Sequence, residues 1–112
     1  MDGSTPLEHW FDVCALEDIP LRGSRRVGHA GMTIGLFRTA GEKVFAVDNR
    51  CPHKGGPLSE GIVHDTAVTC PLHGWIFDLE TGKARGADDG CIRTYPVDVQ
   101  ADGRIWVRLP AN

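Results

Sequence analysis

Apolar residues along this chain recur at every second position, in short runs, and no long stretch carries the spacing of a helix. In Arg104-Ile105-Trp106-Val107-Arg108-Leu109 the three aliphatics share one face, with Arg, Trp and Arg on the other. Tyr95, Val97 and Val99 alternate likewise, as do Ile34 and Leu36, and Val44-Phe45-Ala46-Val47 is an apolar run of strand length. Turn signals separate these runs at Ala40-Gly41-Glu42-Lys43, Thr81-Gly82-Lys83, Asp88-Asp89-Gly90 and Ala101-Asp102-Gly103. The Asp102-Gly103 pair between two alternating runs predicts a hairpin. One short helical turn is expected at Leu16-Glu17-Asp18-Ile19, ended by Pro20. Together they predict an all-β fold, an antiparallel β-sandwich or small barrel.

The pattern changes between about Asn49 and Asp89. Gly and Pro cluster there, and the strand signals shorten to Ile62-Val63, Ala67-Val68-Thr69 and Trp75-Ile76-Phe77. The expectation is a single domain over 1–112. A β base from about 8–48 and 90–110 carries a small inserted lobe over about 49–89.

At 112 residues the chain has room for one core and not for an oxygenase or reductase domain beside it. Any substrate chemistry is therefore expected on a partner. Ser4, Ser24 and Ser59 stand in ordinary polar contexts with no base in view, so no catalytic residue is assigned. The formal charge of −3 favours neither nucleic acid nor an anionic membrane. No apolar run approaches the roughly 20 residues of a spanning helix. Met1-Asp2-Gly3-Ser4-Thr5 has neither the basic nor the apolar region of a secretory signal, so a cytoplasmic, reducing location is expected. In that setting Cys14 and Cys91 read as small buried apolar side chains.

The other two cysteines carry the chemistry. Cys51-Pro52-His53 and Cys70-Pro71-Leu72-His73 put one thiolate and one imidazole on each of two short loops. Such a set can divide between two irons, the cysteines on one and the histidines on the other, as in a Rieske [2Fe–2S] centre. Gly55, Gly56 and Gly74 are placed to let main-chain N–H groups approach sulfur, and Lys54 and Trp75 flank the ligand pairs. Pro52 and Pro71 stiffen the loops. Two Cys and two His also suit structural zinc, but Cys-x-His is tighter than the usual two-to-four-residue spacing. His9 (placed before the first strand), His29 and His64 read as surface histidines.

Cys51-Pro52-His53-Lys54-Gly55-Gly56-Pro57-Leu58 and Cys70-Pro71-Leu72-His73-Gly74-Trp75 resemble the Rieske family, and the likeness runs across nearly the whole chain. The resemblance implies Cys51 and Cys70 on a buried iron and His53 and His73 on an outer one. It also implies a third covering loop at Ala84–Asp89. High-potential members carry an extra cysteine in each loop, where this chain has Gly56 and Leu72. They also place a serine and a tyrosine after the second histidine, where Trp75 and Phe77 stand here. Lacking those donors to sulfur, the cluster is expected at low potential, on the order of −150 to 0 mV.

Within the low-potential group, Cys51 to Val63, Gly86 to Cys91 and Ile92 to Val97 are most like the small subunit of assimilatory NAD(P)H-dependent nitrite reductase. That resemblance implies a large partner subunit with flavin, siroheme and its own iron–sulfur cluster. The alternatives are a free Rieske ferredoxin serving an aromatic-ring dioxygenase, and a mainly structural or regulatory subunit.

Overall fold

Residue by residue, the alternation builds antiparallel sheets. The structure is a computed structural model, and it describes residues 8–39, 43–50, 57–72, 74–85 and 90–110. Among the described residues ten strands follow in order: β1 (Glu8–Ala15), β2 (Gly23–His29), β3 (Met32–Arg38), β4 (Val44–Asp48), β5 (Ile62–His64), β6 (Ala67–Thr69), β7 (Ile76–Asp78), β8 (Thr94–Tyr95), β9 (Val97–Val99) and β10 (Arg104–Pro110). They form three antiparallel sheets with orders β1-β10-β9, β2-β3-β4-β8 and β5-β6-β7. Single 3₁₀ turns at Leu16–Asp18 and Leu58–Glu60 are the helical elements among the described residues. This is the expected all-β architecture.

The middle sheet is buried on both faces. Ile34 and Leu36 of β3, with Val44 and Ala46 of β4, face Ile105, Val107 and Leu109 of β10 and Cys14 of β1. Phe37 and Val47, from the same two strands, face the other way into a second core with Leu58, Val63, Val68, Cys70, Phe77, Leu79 and Ile92. Alternation within β3 and β4 thus feeds two cores, which explains their near-continuous apolar runs.

Several local expectations are met. Gln100 N–H donates to the Arg104 carbonyl (2.8 Å), and Gly103 N–H to the Gln100 carbonyl (2.9 Å), closing the β9–β10 hairpin. β10 alternates as read, its three aliphatics inward. Val99, however, is exposed rather than following Tyr95 inward.

Other expectations need correction. His9 lies within β1, opposite Leu109, rather than before the first strand. Cys91 is exposed, not buried, because the backbone alternates there and Ile92 takes the inward position. Cys14 is buried as expected, and both thiols are free. β2 was not apparent from Gly23-Ser24-Arg25-Arg26-Val27-Gly28-His29, a segment poor in strand formers. It is held by pairing with β3 from Gly23↔Arg38 to His29↔Met32. A two-residue turn joins them, Ala30 at φ 51° and Gly31 at φ 81°, the double positive φ that suits the twist of a hairpin.

Truncating Ile105, fully buried in the central strand of its sheet, should cost about 2–5 kcal/mol of unfolding free energy. Urea unfolding of Ile105→Ala should show a lower midpoint at unchanged slope.

Candidate metal centre

The β6–β7 hairpin ends at the Thr69↔Ile76 pair, and its tip is the second motif. Cys70 N–H donates to the Trp75 carbonyl at 2.7 Å, and Gly74 N–H to the Cys70 carbonyl at 3.1 Å. Both backbone groups of Cys70 are thus committed inside its own loop. Gly74 sits at φ 75°, the left-handed region that turns the chain back toward Trp75. The Cys70 side chain is 2 % exposed, packed into the second core with Phe37, Val47, Phe77 and Leu79. Leu72, two residues on, is 50 % exposed. Trp75 packs against that core, its ring centre 6.2 Å from that of Phe77.

Of the site residues read from the sequence, Cys70, Gly74 and Trp75 are placed in this way. Cys51, His53, Lys54, Gly55, Gly56 and His73 lie outside the described residues, as do 86–89 of the third loop.

The flanks of the first motif are defined. Asn49, at the end of β4, is buried, and its side-chain Oδ1 accepts the Ser59 N–H at 2.6 Å. Its own N–H donates to the Thr33 carbonyl at 3.0 Å. The Ser24 hydroxyl donates to the Ser59 carbonyl, and Leu58 is fully buried in the second core. Sequence reasoning passed over Asn49 and read Ser59 as an ordinary loop serine. The available signal was a polar residue ending an apolar strand just before the first cysteine.

The third loop is also tied at its ends. Ala84 N–H donates to the Gly90 carbonyl (2.9 Å) and Arg85 N–H to the Ile76 carbonyl (2.8 Å). Asp78 organises the turn before it. Oδ1 accepts the Glu80 and Thr81 N–H groups at 2.8 and 3.1 Å, and Oδ2 accepts from the Arg85 guanidinium at 3.1 Å. Burial pushes the Asp78 pKa up, but the bonds from Arg85, Thr81 and Glu80 outweigh it and hold the carboxyl below its ordinary value.

The other histidines have local partners. The Nε2 of His29 lies 2.7 Å from the Pro110 carbonyl oxygen, and its ring centre 4.5 Å from that of Phe11. The Nε2 of His64 lies 2.7 Å from Thr69 Oγ1, and His9 meets Phe11 edge-on. Among the described residues no three His, Cys, Asp or Glu side chains gather as a metal site. Nor, among them, is any helix long and apolar enough to cross a membrane.

The structure thus places a buried thiol without a disulfide partner at the tip of a hydrogen-bonded hairpin on an all-β frame. The Rieske-like [2Fe-2S] domain model matches residues 9–108. The chain therefore belongs to that family, as an electron-transfer protein whose cofactor is a Rieske [2Fe–2S] cluster. It is 46 % identical over 100 residues to the 3-phenylpropionate/cinnamic acid dioxygenase ferredoxin subunit of Photorhabdus laumondii, covering 87 % of this chain and 91 % of that one. The ferredoxin of carbazole 1,9a-dioxygenase from Nocardioides aromaticivorans superposes with a TM-score of 0.78 at 28 % identity, over 93 % of this chain and 97 % of that one. A structure assigned as the NADH-dependent nitrite reductase small subunit of Mycobacterium tuberculosis superposes with a TM-score of 0.84 at 29 % identity, over 95 % and 99 %.

The depressed Asp78 carboxyl makes a signed prediction. Its stabilisation is present above the unfolded carboxyl pKa of about 3.9 and is lost as pH falls through the lower folded value. Urea unfolding should therefore find Asp78→Asn less stable than wild type at pH 7, with the gap shrinking below about pH 4.

Proposed function

We propose that Cys51 and Cys70 hold one iron, that His53 and His73 hold the other, and that the chain delivers single electrons to an oxygenase as a free Rieske ferredoxin. The donor set of two thiolates and two imidazoles fits the family's cluster. The observation that carries the oxygenase reading is the 46 % identity to a dioxygenase ferredoxin subunit, over 91 % of that protein's length. It moves the reading from the nitrite reductase subunit, favoured by the motifs, to the ferredoxin alternative. In this reading residues 49–89 form the cluster-bearing lobe on a base of 8–48 and 90–110. The cluster supplies reversible one-electron storage, and the protein's own residues hold it still. Cys70 is fixed by two backbone bonds in its loop, and Phe77 and Trp75 present no hydroxyl to sulfur.

The nitrite reductase small subunit stands as the second reading. The superposition on the Mycobacterium tuberculosis protein, over nearly the full length of both chains, supports it. The motif stretches Cys51 to Val63 and Ile92 to Val97 support it as well.

The deciding experiment captures partners of the tagged holoprotein from its native host, grown on aromatic acids and, separately, on nitrate. Recovery of a ring-hydroxylating oxygenase or a ferredoxin reductase is expected, and a siroheme- and flavin-containing reductase in stoichiometric amount would install the second reading. Redox titration followed by electron paramagnetic resonance should give a midpoint on the order of −150 to 0 mV, and a value above about +150 mV would contradict the low-potential assignment.

A further inference from the structure

The segment between Asn49 and Ser59 carries Cys51 and His53, and its two ends are joined by one side-chain hydrogen bond. Asn49 Oδ1 accepts the Ser59 N–H at 2.6 Å across ten residues. Asn49 is only 7 % exposed and the bond is partly buried, so water competes for it less than at an open surface. Both ends are also tied to the middle sheet. Asn49 N–H reaches the Thr33 carbonyl of β3, and the Ser24 hydroxyl of β2 reaches the Ser59 carbonyl.

The site is built around the amide. A Cβ on Gly35 would stand 3.3 Å from Asn49 Oδ1 and 2.8 Å from a Phe37 ring carbon, so β3 leaves room for this group by lacking a side chain there. The function asked of residue 49 is narrow. It must present one acceptor, at the reach of a side-chain amide or carboxylate oxygen, to one N–H. An aspartate can do this, whereas a leucine of similar volume cannot.

We propose that Asn49 is the positioning residue of the first ligand loop. Its amide sets the span between the loop's two ends, and with it the geometry at which Cys51 and His53 grip the cluster. This rests on the ligand assignment made above. Nothing in the cluster's chemistry requires an amide at position 49, so its role is to hold the loop rather than to exchange electrons.

The test compares holoproteins of wild type, Asn49→Leu and Asn49→Asp, with Cys51→Ala as a separate control on the ligands. Two quantities are read: the rate at which a chelator bleaches the cluster's visible absorbance, and the line shape of its reduced electron paramagnetic resonance signal. Asn49→Leu should lose cluster about tenfold faster, the factor expected of one forfeited partly buried hydrogen bond, and show a broadened signal. Asn49→Asp should restore both toward wild type. Equal bleaching rates in Asn49→Leu and wild type would overturn the proposal, as would Asn49→Asp behaving like Asn49→Leu. A bleaching rate that merely tracks global unfolding, measured in urea on the same samples, would also overturn it. If Asn49→Leu does not fold, Asn49→Ser, whose hydroxyl is too short to reach Ser59, takes its place under the same criteria. Retention of a native cluster signal in Cys51→Ala would instead refute the ligand assignment, whatever the Asn49 variants do.

Discussion

The rest of the structure depends on the burial of one sheet from both sides. β3 and β4 send Ile34, Leu36, Val44 and Ala46 into one core and Phe37 and Val47 into the other. The first core packs this sheet against β10 and β1. The second packs it against β6, β7 and the residues that flank the ligand motifs. Cys70 is a member of that second core, so the thiol's position is coupled by contact to the strands that hold the domain together. Because interiors are close-packed, a displacement of the hairpin that carries Cys70 would have to open contacts around Phe37, Phe77 and Leu79. An electron carrier benefits from this coupling, since any reshaping of its centre between oxidation states slows transfer.

Much of this was legible in the residues. β10 alternates cleanly because one face meets the core and the other does not, and Asp102-Gly103 marks its hairpin. The run Val44 to Val47 is a strand buried on both faces. The turn at Leu16 to Asp18 ends near Pro20 as its sequence demands. The metal-binding character was legible too, because thiolates and imidazoles in paired short motifs have few other uses.

What escaped the sequence is decided by pairing and packing rather than by residue type. β2 owes its existence to β3 rather than to its own side chains. Cys91 turns outward because Ile92 claims the interior, a choice that residue type does not reveal. Asn49 resembles any polar residue at a strand end until Ser59, ten positions later, is found against it. Even the subfamily was underdetermined, since the motif stretches leaned to nitrite reductase while identity along the whole chain leans to the dioxygenase ferredoxins. Short motifs report the ligands, whereas the choice of partner is spread over surfaces that no motif samples.

The hairpin that carries Cys70 is built from neighbours in sequence, with Thr69 opposite Ile76 and Cys70 bonded to Trp75 and Gly74. The flanks of the first motif depend on Ser24 of β2 and Thr33 of β3. Local contacts form sooner than distant ones, because less chain entropy is lost in closing them. The contacts around Cys70 therefore close at a smaller entropic cost than those at Asn49 and Ser59. The β6–β7 tip needs only its own strands to close, whereas the flank at Asn49 and Ser59 also needs Ser24 of β2 brought to it across 35 residues. The fold is thereby biased to shape the turn around Cys70 before it ties down the flanks at Asn49 and Ser59.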